Sequence, residues 1–194
     1  MAGTRTAPTV LIVPGLRDHV DAHWQTLLGA HLKACGREVR TVPPMGRTDL
    51  DCAARVEAIE REAQSIEGPL VLVAHSGGCV MVAHWARQTR RVVQGALMAT
   101  PPDFEEAMPE GYPSLEDLRA GGWLPVPRDP LPFPSITAVS CNDPLGRHAR
   151  VVELGRAWGS RLVELGEVGH LNPASGYGDW PQAHDFIARL SAAE

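Results

Sequence analysis

The chain alternates short aliphatic runs with longer stretches in which apolar residues recur at helical spacing, and this alternation restricts its possible folds more than any other feature. Most of the runs are continuously apolar, as expected of strands buried on both faces. The predicted strands are residues 9–13, 37–42, 70–74, 92–99, 135–140 and 161–165. The predicted helices are residues 21–35, 49–66, the segment after Ser76, 145–158 and 179–193. Strands that alternate with helices favour a mostly parallel sheet with helices on both faces.

Length and charge narrow the class of protein further. With 194 residues, the chain is expected to form one domain over residues 1–194, because single cores commonly reach about 100–200 residues. The net charge of −5 and the lack of a long basic run argue against nucleic acid as a partner. No apolar stretch approaches the ~18 residues of a membrane span, and the N-terminus does not resemble a secretory signal. We therefore expect a cytoplasmic protein that acts on a small molecule.

One connection interrupts the alternation. Residues 101–134 are dense in Pro and Gly and too long for an ordinary link between elements, which predicts a functional loop or a small cap. The segment carries Phe104, Met108, Tyr112 and Trp123. These side chains either line a pocket for an acyl group or fasten the loop to the core, and the sequence favours neither interpretation.

The cysteines give little information about function. Cys35, Cys52, Cys79 and Cys141 are scattered and contain no CxxC pair, so we expect buried thiols rather than a disulfide framework. No Cys/His pair has the spacing of zinc ligands. The sequence therefore predicts neither a metal nor another cofactor.

A serine stands between the third predicted strand and the helix that follows it, in the segment VLVAHSGG. Ala74, Ser76 and Gly78 form a small-x-Ser-x-Gly pattern, which is typical of a nucleophile elbow. In such an elbow the strand turns sharply into a helix, the flanking positions must be small, and the serine hydroxyl stands exposed. The N–H of Gly77, at the start of the helix, would then stabilise a developing oxyanion. The alternative is that Ser76 only caps the helix.

A serine nucleophile needs a base, and the base needs an acid that orients it. The segment SCNDP places Asp143 just after the fifth predicted strand, and the segment GHLN places His170 just after the sixth. The order Ser76, Asp143, His170 is the order expected for this type of fold. The sequence therefore predicts a Ser-His-Asp triad at the carboxyl edge of the sheet.

Other residues compete for these roles. Asp103 follows the fourth predicted strand and is an alternative acid, although we expect it to face solvent. Asp143 also precedes Pro144, and Asp-Pro pairs often begin turns. His75 is expected to point away from the serine into the core, and His148 to face solvent or the sheet.

Longer segments carry a family resemblance. They are VLIVPGLRDHVDAHWQ, VLVAHSGG, WLPVPRDPLPFPS, SCNDP and GHLN. Across nearly its whole length the chain resembles small α/β-hydrolases of the YdeN and retinoblastoma-binding-protein-nine type. The resemblance implies a compact serine hydrolase in which Ser76, Asp143 and His170 form the triad. It also implies that the turn PGLRD supplies a second oxyanion donor, the N–H of Leu16.

These observations predict an α/β-hydrolase fold with about six mostly parallel strands in the order 2-1-3-4-5-6. The expected activity is that of a carboxylesterase-like serine hydrolase, which cleaves an ester, or a thioester or amide, through an acyl-serine intermediate. A protein-interaction module that retains the hydrolase fold is the main alternative. A nucleotide-binding domain is disfavoured because no GxGxxG or GxxxxGK[ST] motif follows a strand.

Overall fold

The sheet has the strand order that the sequence predicts. The computed structural model describes residues 7–17 and 20–192. Within them, six strands form one sheet in the order β2-β1-β3-β4-β5-β6, and each neighbouring pair is parallel. The strands are β1 (Thr9–Val13), β2 (Val39–Thr41), β3 (Leu70–His75), β4 (Gly95–Ala99), β5 (Ser135–Ser140) and β6 (Arg161–Gly166). The carboxyl ends of all six strands consequently lie along one edge of the sheet.

Helices cover both faces of this sheet. They are α1 (Trp24–Ala34), α2 (Cys52–Ser65), α3 (Gly77–Ala86), α4 (Leu115–Ala120), α5 (His148–Ala157) and α6 (Gln182–Ala192), with a 3₁₀ turn at Pro173–Ser175. Side chains alternate across β1, so that Val10 and Ile12 pack with α1 and α6 while Leu11 and Val13 pack with α2 and α3. The central strands β1, β3 and β4 are buried throughout. This double burial explains their continuously apolar sequences.

The ends of several helices differ from the sequence prediction because capping side chains set them. α1 begins after His23, whose Nδ1 accepts a hydrogen bond from Gln25 N at 3.2 Å. α2 begins after Asp51, whose carboxylate accepts from Ala54 N at 3.0 Å. Both helices therefore start about three residues later than the apolar periodicity alone indicates.

The Pro-rich segment 101–134 is fastened to the core. It contains α4, which begins with a reciprocal capping box between Ser114 and Asp117. Phe104, Leu118 and Trp123 are all buried in the core cluster beneath α3. The segment thus forms a packed wall beside the carboxyl edge of the sheet.

The four cysteines are free, and their burial only partly agrees with expectation. Cys52 and Cys79 are buried, but Cys35 and Cys141 are exposed. Cys35 is exposed because it ends α1 at the surface, and Cys141 lies just beyond β5. In the part of the chain that the structure describes, no helix is both long enough and apolar enough to cross a membrane.

Candidate active site

The turn between β3 and α3 is strained at Ser76. Its backbone has φ 55° and ψ −133°, a conformation that side-chain-bearing residues rarely adopt and that is held by surrounding structure. One constraint is the hydrogen bond from Ser76 N to Ala99 O at 3.0 Å. The side chain makes no hydrogen bond that caps α3. The helix-cap alternative for this serine is therefore wrong.

The small residues around Ser76 allow α3 to begin directly against the end of β1. A Cβ atom at Gly78 would lie 2.5 Å from Val13 O and 2.6 Å from Pro14 O. Both are backbone atoms, so a larger residue would force the strand and the helix apart. Gly15, in the turn after β1, packs against the serine, because a Cβ atom at this position would be 3.1 Å from Ser76 Cβ.

Three side chains from three strand ends form one hydrogen-bonded chain. Ser76 Oγ lies 2.8 Å from His170 Nε2, and His170 Nδ1 lies 2.8 Å from Asp143 Oδ2. The side chains of His170 and Asp143 are only 6% and 2% exposed. The carboxylate can only accept, so Nδ1 donates to it, and Nε2 is left to accept the serine proton. In this arrangement the imidazole can remove a proton from Ser76.

The loops that carry the acid and the histidine are also held by hydrogen bonds. Asp143 Oδ1 accepts from Leu145 N at 2.8 Å. Asn142 Oδ1 accepts from Gly169 N at 2.6 Å, and this contact links the loop after β5 to the loop after β6. His170 N donates to Ser175 Oγ at 3.0 Å. The imidazole is therefore fixed both through its ring and through its backbone.

His75, at the end of β3, lies against the back of this arrangement. Its Nε2 is 2.9 Å from the carbonyl oxygen of His170, which can only accept, so Nε2 carries the proton. Its ring lies 5.0 Å from the His170 ring and 4.8 Å from the His23 ring, measured between centroids. Burial holds the pKa of His75 well below its ordinary value, and the neighbouring histidines add to this effect. Sequence analysis predicts only that His75 packs in the core and misses its contact with His170.

Asp103, the alternative acid, lies in a different set of contacts. Its Oδ2 accepts from Arg150 Nε at 3.0 Å, and its Oδ1 accepts from Glu105 N at 3.2 Å. Its side chain is 9% exposed, so the expectation that it faces solvent is wrong, because the Arg150 guanidinium covers it. His148 is partly exposed, and its Nε2 lies 2.9 Å from Glu164 Oε2.

A cavity of about 270 Å³ opens beside Ser76 and His170. Phe104, Met108 and Tyr112 line it, as one of the two interpretations of the Pro-rich segment requires. Trp123 does not line it. The indole is fully buried behind Phe104, with ring centroids 5.5 Å apart, and donates to Leu50 O at 2.8 Å. Trp123 therefore supports the cavity wall and is not part of its surface.

Leu16 and Gly77, which carry the two predicted oxyanion donors, pack against each other. Leu16 lines the cavity, and a Cβ atom at Gly77 would lie 2.8 Å from Leu16 Cγ. Gly77 is the first residue of α3, where backbone N–H groups have no partner within the helix. Gln25, on α1, links the ends of β1 and β3, since its Nε2 donates to Val13 O at 3.2 Å and to Val73 O at 3.0 Å.

The structure also bears on metal chemistry. Over residues 7–17 and 20–192, no group of three or more His, Cys, Asp or Glu side chains could hold a metal ion.

The thiol nearest to the serine in sequence, Cys79, is buried, and its Sγ lies 3.4 Å from Ala99 O. Burial raises the pKa of Cys79 well above its ordinary value. This thiol is therefore poorly suited to act as a nucleophile.

Comparisons with known proteins are consistent with this geometry. A family model described as serine hydrolase matches residues 10–189. No curated protein sequence is significantly similar to the chain. Among solved structures, a YdeN-like hydrolase from Pectobacterium atrosepticum is 27% identical, with a TM-score of 0.77, and the match covers 95% of this chain and 92% of that one.

More distant structures share the fold. The ydeN gene product of B. subtilis is 17% identical, with a TM-score of 0.74 over 94% of this chain and 98% of that one. Est1E from Butyrivibrio proteoclasticus, solved with bound ferulic acid, is 14% identical, with a TM-score of 0.67 over 96% of this chain and 92% of that one. The six-stranded sheet and its helices therefore have the α/β-hydrolase fold.

Proposed function

The chain belongs to the serine hydrolase family, and from this premise we propose that it hydrolyses a carboxylic ester through an acyl-enzyme on Ser76. One observation carries the proposal. It is the continuous hydrogen-bonded chain from Ser76 Oγ through the His170 ring to Asp143, with two contacts of 2.8 Å. An imidazole held in this tautomer can act as a base toward the serine and then as an acid toward the leaving group.

The proposed reaction has two halves. Ser76 Oγ attacks the ester carbonyl while His170 Nε2 takes its proton, and the resulting oxyanion is stabilised by the N–H groups of Gly77 and Leu16. The C–O bond to the alcohol then breaks, and His170 returns the proton to the leaving oxygen. Water, deprotonated by the same nitrogen, releases the acid and restores Ser76. Asp143 remains ionised and stabilises the imidazolium in both halves.

Features of the cavity support an ester of modest size. Its walls include the apolar side chains of Phe104 and Met108 beside the serine. The volume of about 270 Å³ is slightly below the range of about 300–1,000 Å³ that is usual for pockets of drug-sized ligands. In the structural neighbour Est1E, the same fold binds an aromatic carboxylic acid, ferulic acid. For this chain we propose only the substrate class, a carboxylic ester, and we rank thioesters and amides after it.

The proposal is tested by turnover of p-nitrophenyl esters with acyl chains of two to eight carbons, beside a thioester and an anilide of the same acids. We expect esters to react fastest, and Ser76→Ala to lower kcat by roughly 10⁴–10⁶-fold. Ser65→Ala, at an exposed serine on α2, is the matched control and is expected to retain activity. Ester turnover that survives in Ser76→Ala would contradict the proposal, and absence of all turnover would favour the protein-interaction alternative.

A further inference from the structure

The cavity beside Ser76 has a positive charge that the proposed ester chemistry does not explain. Arg17 and Arg47 both line it. No Asp or Glu is present among the described residues that line it, although the chain as a whole has 23 acidic residues and 18 Lys and Arg. Its other polar side chains include the hydroxyl groups of Ser76 and Tyr112 and the amides of Gln25 and Asn172, none of which is a carboxylate. The electrostatic field in the cavity therefore favours an anion.

Arg17 is held in place by two uncharged partners among the described residues. Its guanidinium carbon lies 3.9 Å from the centroid of the Tyr112 ring, and Nη2 donates to the carbonyl oxygen of Gly111. Neither partner is charged, and a guanidinium has five N–H donors, so further donors remain for a ligand. Because the side chain is already ordered, little conformational entropy is lost when it binds an anion. Arg17 also directly follows Leu16, the proposed oxyanion donor.

Arg47 is the second cation of the cavity. Within the residues that the structure describes, no carboxylate lies within ion-pair distance of its guanidinium or that of Arg17. This contrasts with Arg128, in the Pro-rich segment, and Arg150, on α5, which are paired with Glu105 at 2.7 and 2.9 Å. Arg128 and Arg150 thus share Glu105 as an acidic partner, whereas no carboxylate of the described residues pairs with either arginine of the cavity.

We propose that the natural substrate is a small ester that also carries an ionised carboxylate, which Arg17 and Arg47 bind while the apolar part of the molecule packs against Phe104 and Met108. This inference rests on the proposed ester hydrolysis at Ser76. A carboxylate matches the planar donor pair of a guanidinium. It also has a smaller charge than a phosphate monoester, which carries about −1.5 to −2 at pH 7, and loses less solvation when it enters a partly apolar cavity.

The test compares pairs of esters that differ only in charge. The first pair is 4-acetoxybenzoate and its methyl ester, in which the charge is on the leaving group. The second pair is the p-nitrophenyl half-ester of adipic acid and its methyl ester, in which the charge is on the acyl group. For each enzyme the quantity compared is the ratio of kcat/KM for the anionic ester to kcat/KM for the neutral one. We expect a ratio of at least about ten for wild type in one pair, decreasing as salt is added.

Substitutions then assign the effect to the two arginines. Arg17→Gln and Arg47→Gln each remove one charge. In the ester pair for which wild type prefers the anion, each is expected to lower the anionic-to-neutral ratio of kcat/KM by about fivefold or more. Arg17→Lys is expected to recover only part of it, because an ammonium group lacks the planar donor pair. The matched control is Arg156→Gln, which removes the same charge from an exposed position on α5 and should leave both ratios unchanged. Equal ratios in wild type and in both cavity variants would overturn the inference.

A binding measurement separates this inference from the proposed function. Ser76→Ala is titrated with monomethyl adipate and with dimethyl adipate, and binding is followed by NMR shifts. We expect tighter binding of the monoanion, lost in the double variant that combines Ser76→Ala with Arg17→Gln. If the monoanion binds more tightly in this way but wild type turns over no ester, ester hydrolysis is contradicted while the anion site remains supported. Tighter binding of 4-acetoxyphenyl phosphate than of 4-acetoxybenzoate would overturn the choice of carboxylate.

Discussion

His170 Nδ1 and Asp143 Oδ2 lie 2.8 Å apart, and both side chains are almost completely buried. Asp143→Asn should keep the loop shape but remove the acceptor that fixes the tautomer of His170. The equivalent change lowers kcat by about 10⁴-fold in serine proteases, and a loss of that order is expected here. The measurement is kcat for a p-nitrophenyl ester at neutral pH.

Asp103→Asn is the control for this prediction. It weakens the contact with Arg150 Nε at 3.0 Å, which is expected to lower the free energy of unfolding by about 1–3 kcal/mol and to change kcat little. If Asp103→Asn were the more damaging variant, the acid would belong after the fourth strand. Equal and small losses would indicate that His170 works without a carboxylate.

His170→Ala should lower activity about as much as Ser76→Ala, because members of a triad act as a unit. His148→Ala is the matched control, since this histidine is partly exposed and contacts Glu164 at 2.9 Å. It should retain nearly full activity. Steady-state kinetics of both variants decide the assignment, and an active His170→Ala beside an inactive His148→Ala would reverse it.

Buried His75 should make stability depend on pH. Its pKa is well below the ordinary 6.5 when the chain is folded, so below pH 6.5 the unfolded chain binds a proton that the folded chain does not. The free energy of unfolding should therefore decrease with falling pH, by up to about 1.4 kcal/mol per pH unit from this residue. The contribution of this residue to the slope should fade as pH rises through 6.5 and vanish well above it.

Urea unfolding of His75→Gln between pH 7 and 5 measures this contribution. The variant should have a shallower decrease than wild type, whatever its stability at pH 7. The control is Ser65→Ala, at an exposed position that carries no titratable group, which should retain the wild-type slope. An unchanged slope in His75→Gln would show that other groups cause the acid sensitivity.

Gly78→Ala should destabilise the fold, because the added methyl would lie within 2.6 Å of two backbone oxygens at the end of β1. We expect a loss of about 1–3 kcal/mol, as for other overpacked sites. Gly77→Ala should be milder, since its Cβ meets side-chain atoms of Leu16 and Phe104, which can shift. Thermal unfolding of both variants tests the order, and equal melting temperatures would contradict the role given to Gly78.

The strand order and the positions of the predicted triad residues follow from local patterns. Parallel strands joined by right-handed crossovers place their carboxyl ends on one edge, so Ser76, Asp143 and His170 are expected on the same edge of the sheet once each is placed after its strand. The single-domain organisation and the cytoplasmic location stay predictions.

The features that sequence analysis missed depend on contacts between distant segments. Strand alternation indicates the face on which His75 lies, but not that the loop after β6 brings the His170 carbonyl to it. Arg17 contacts Gly111, 94 residues away, and Arg150 covers Asp103 from α5. No periodicity in the sequence encodes such pairs. The last two pairs follow from how the Pro-rich segment packs, and this segment has little regular secondary structure.

The central claim is that Ser76 is the activated nucleophile, and the most direct test is reaction with a fluorophosphonate followed by mapping of the modified peptide by mass spectrometry. Wild type should gain one adduct, located on Ser76. His170→Ala should react far more slowly, and Ser76→Ala should not react at the same probe concentration. An adduct on another residue, or labelling that is as fast in His170→Ala as in wild type, would contradict the account.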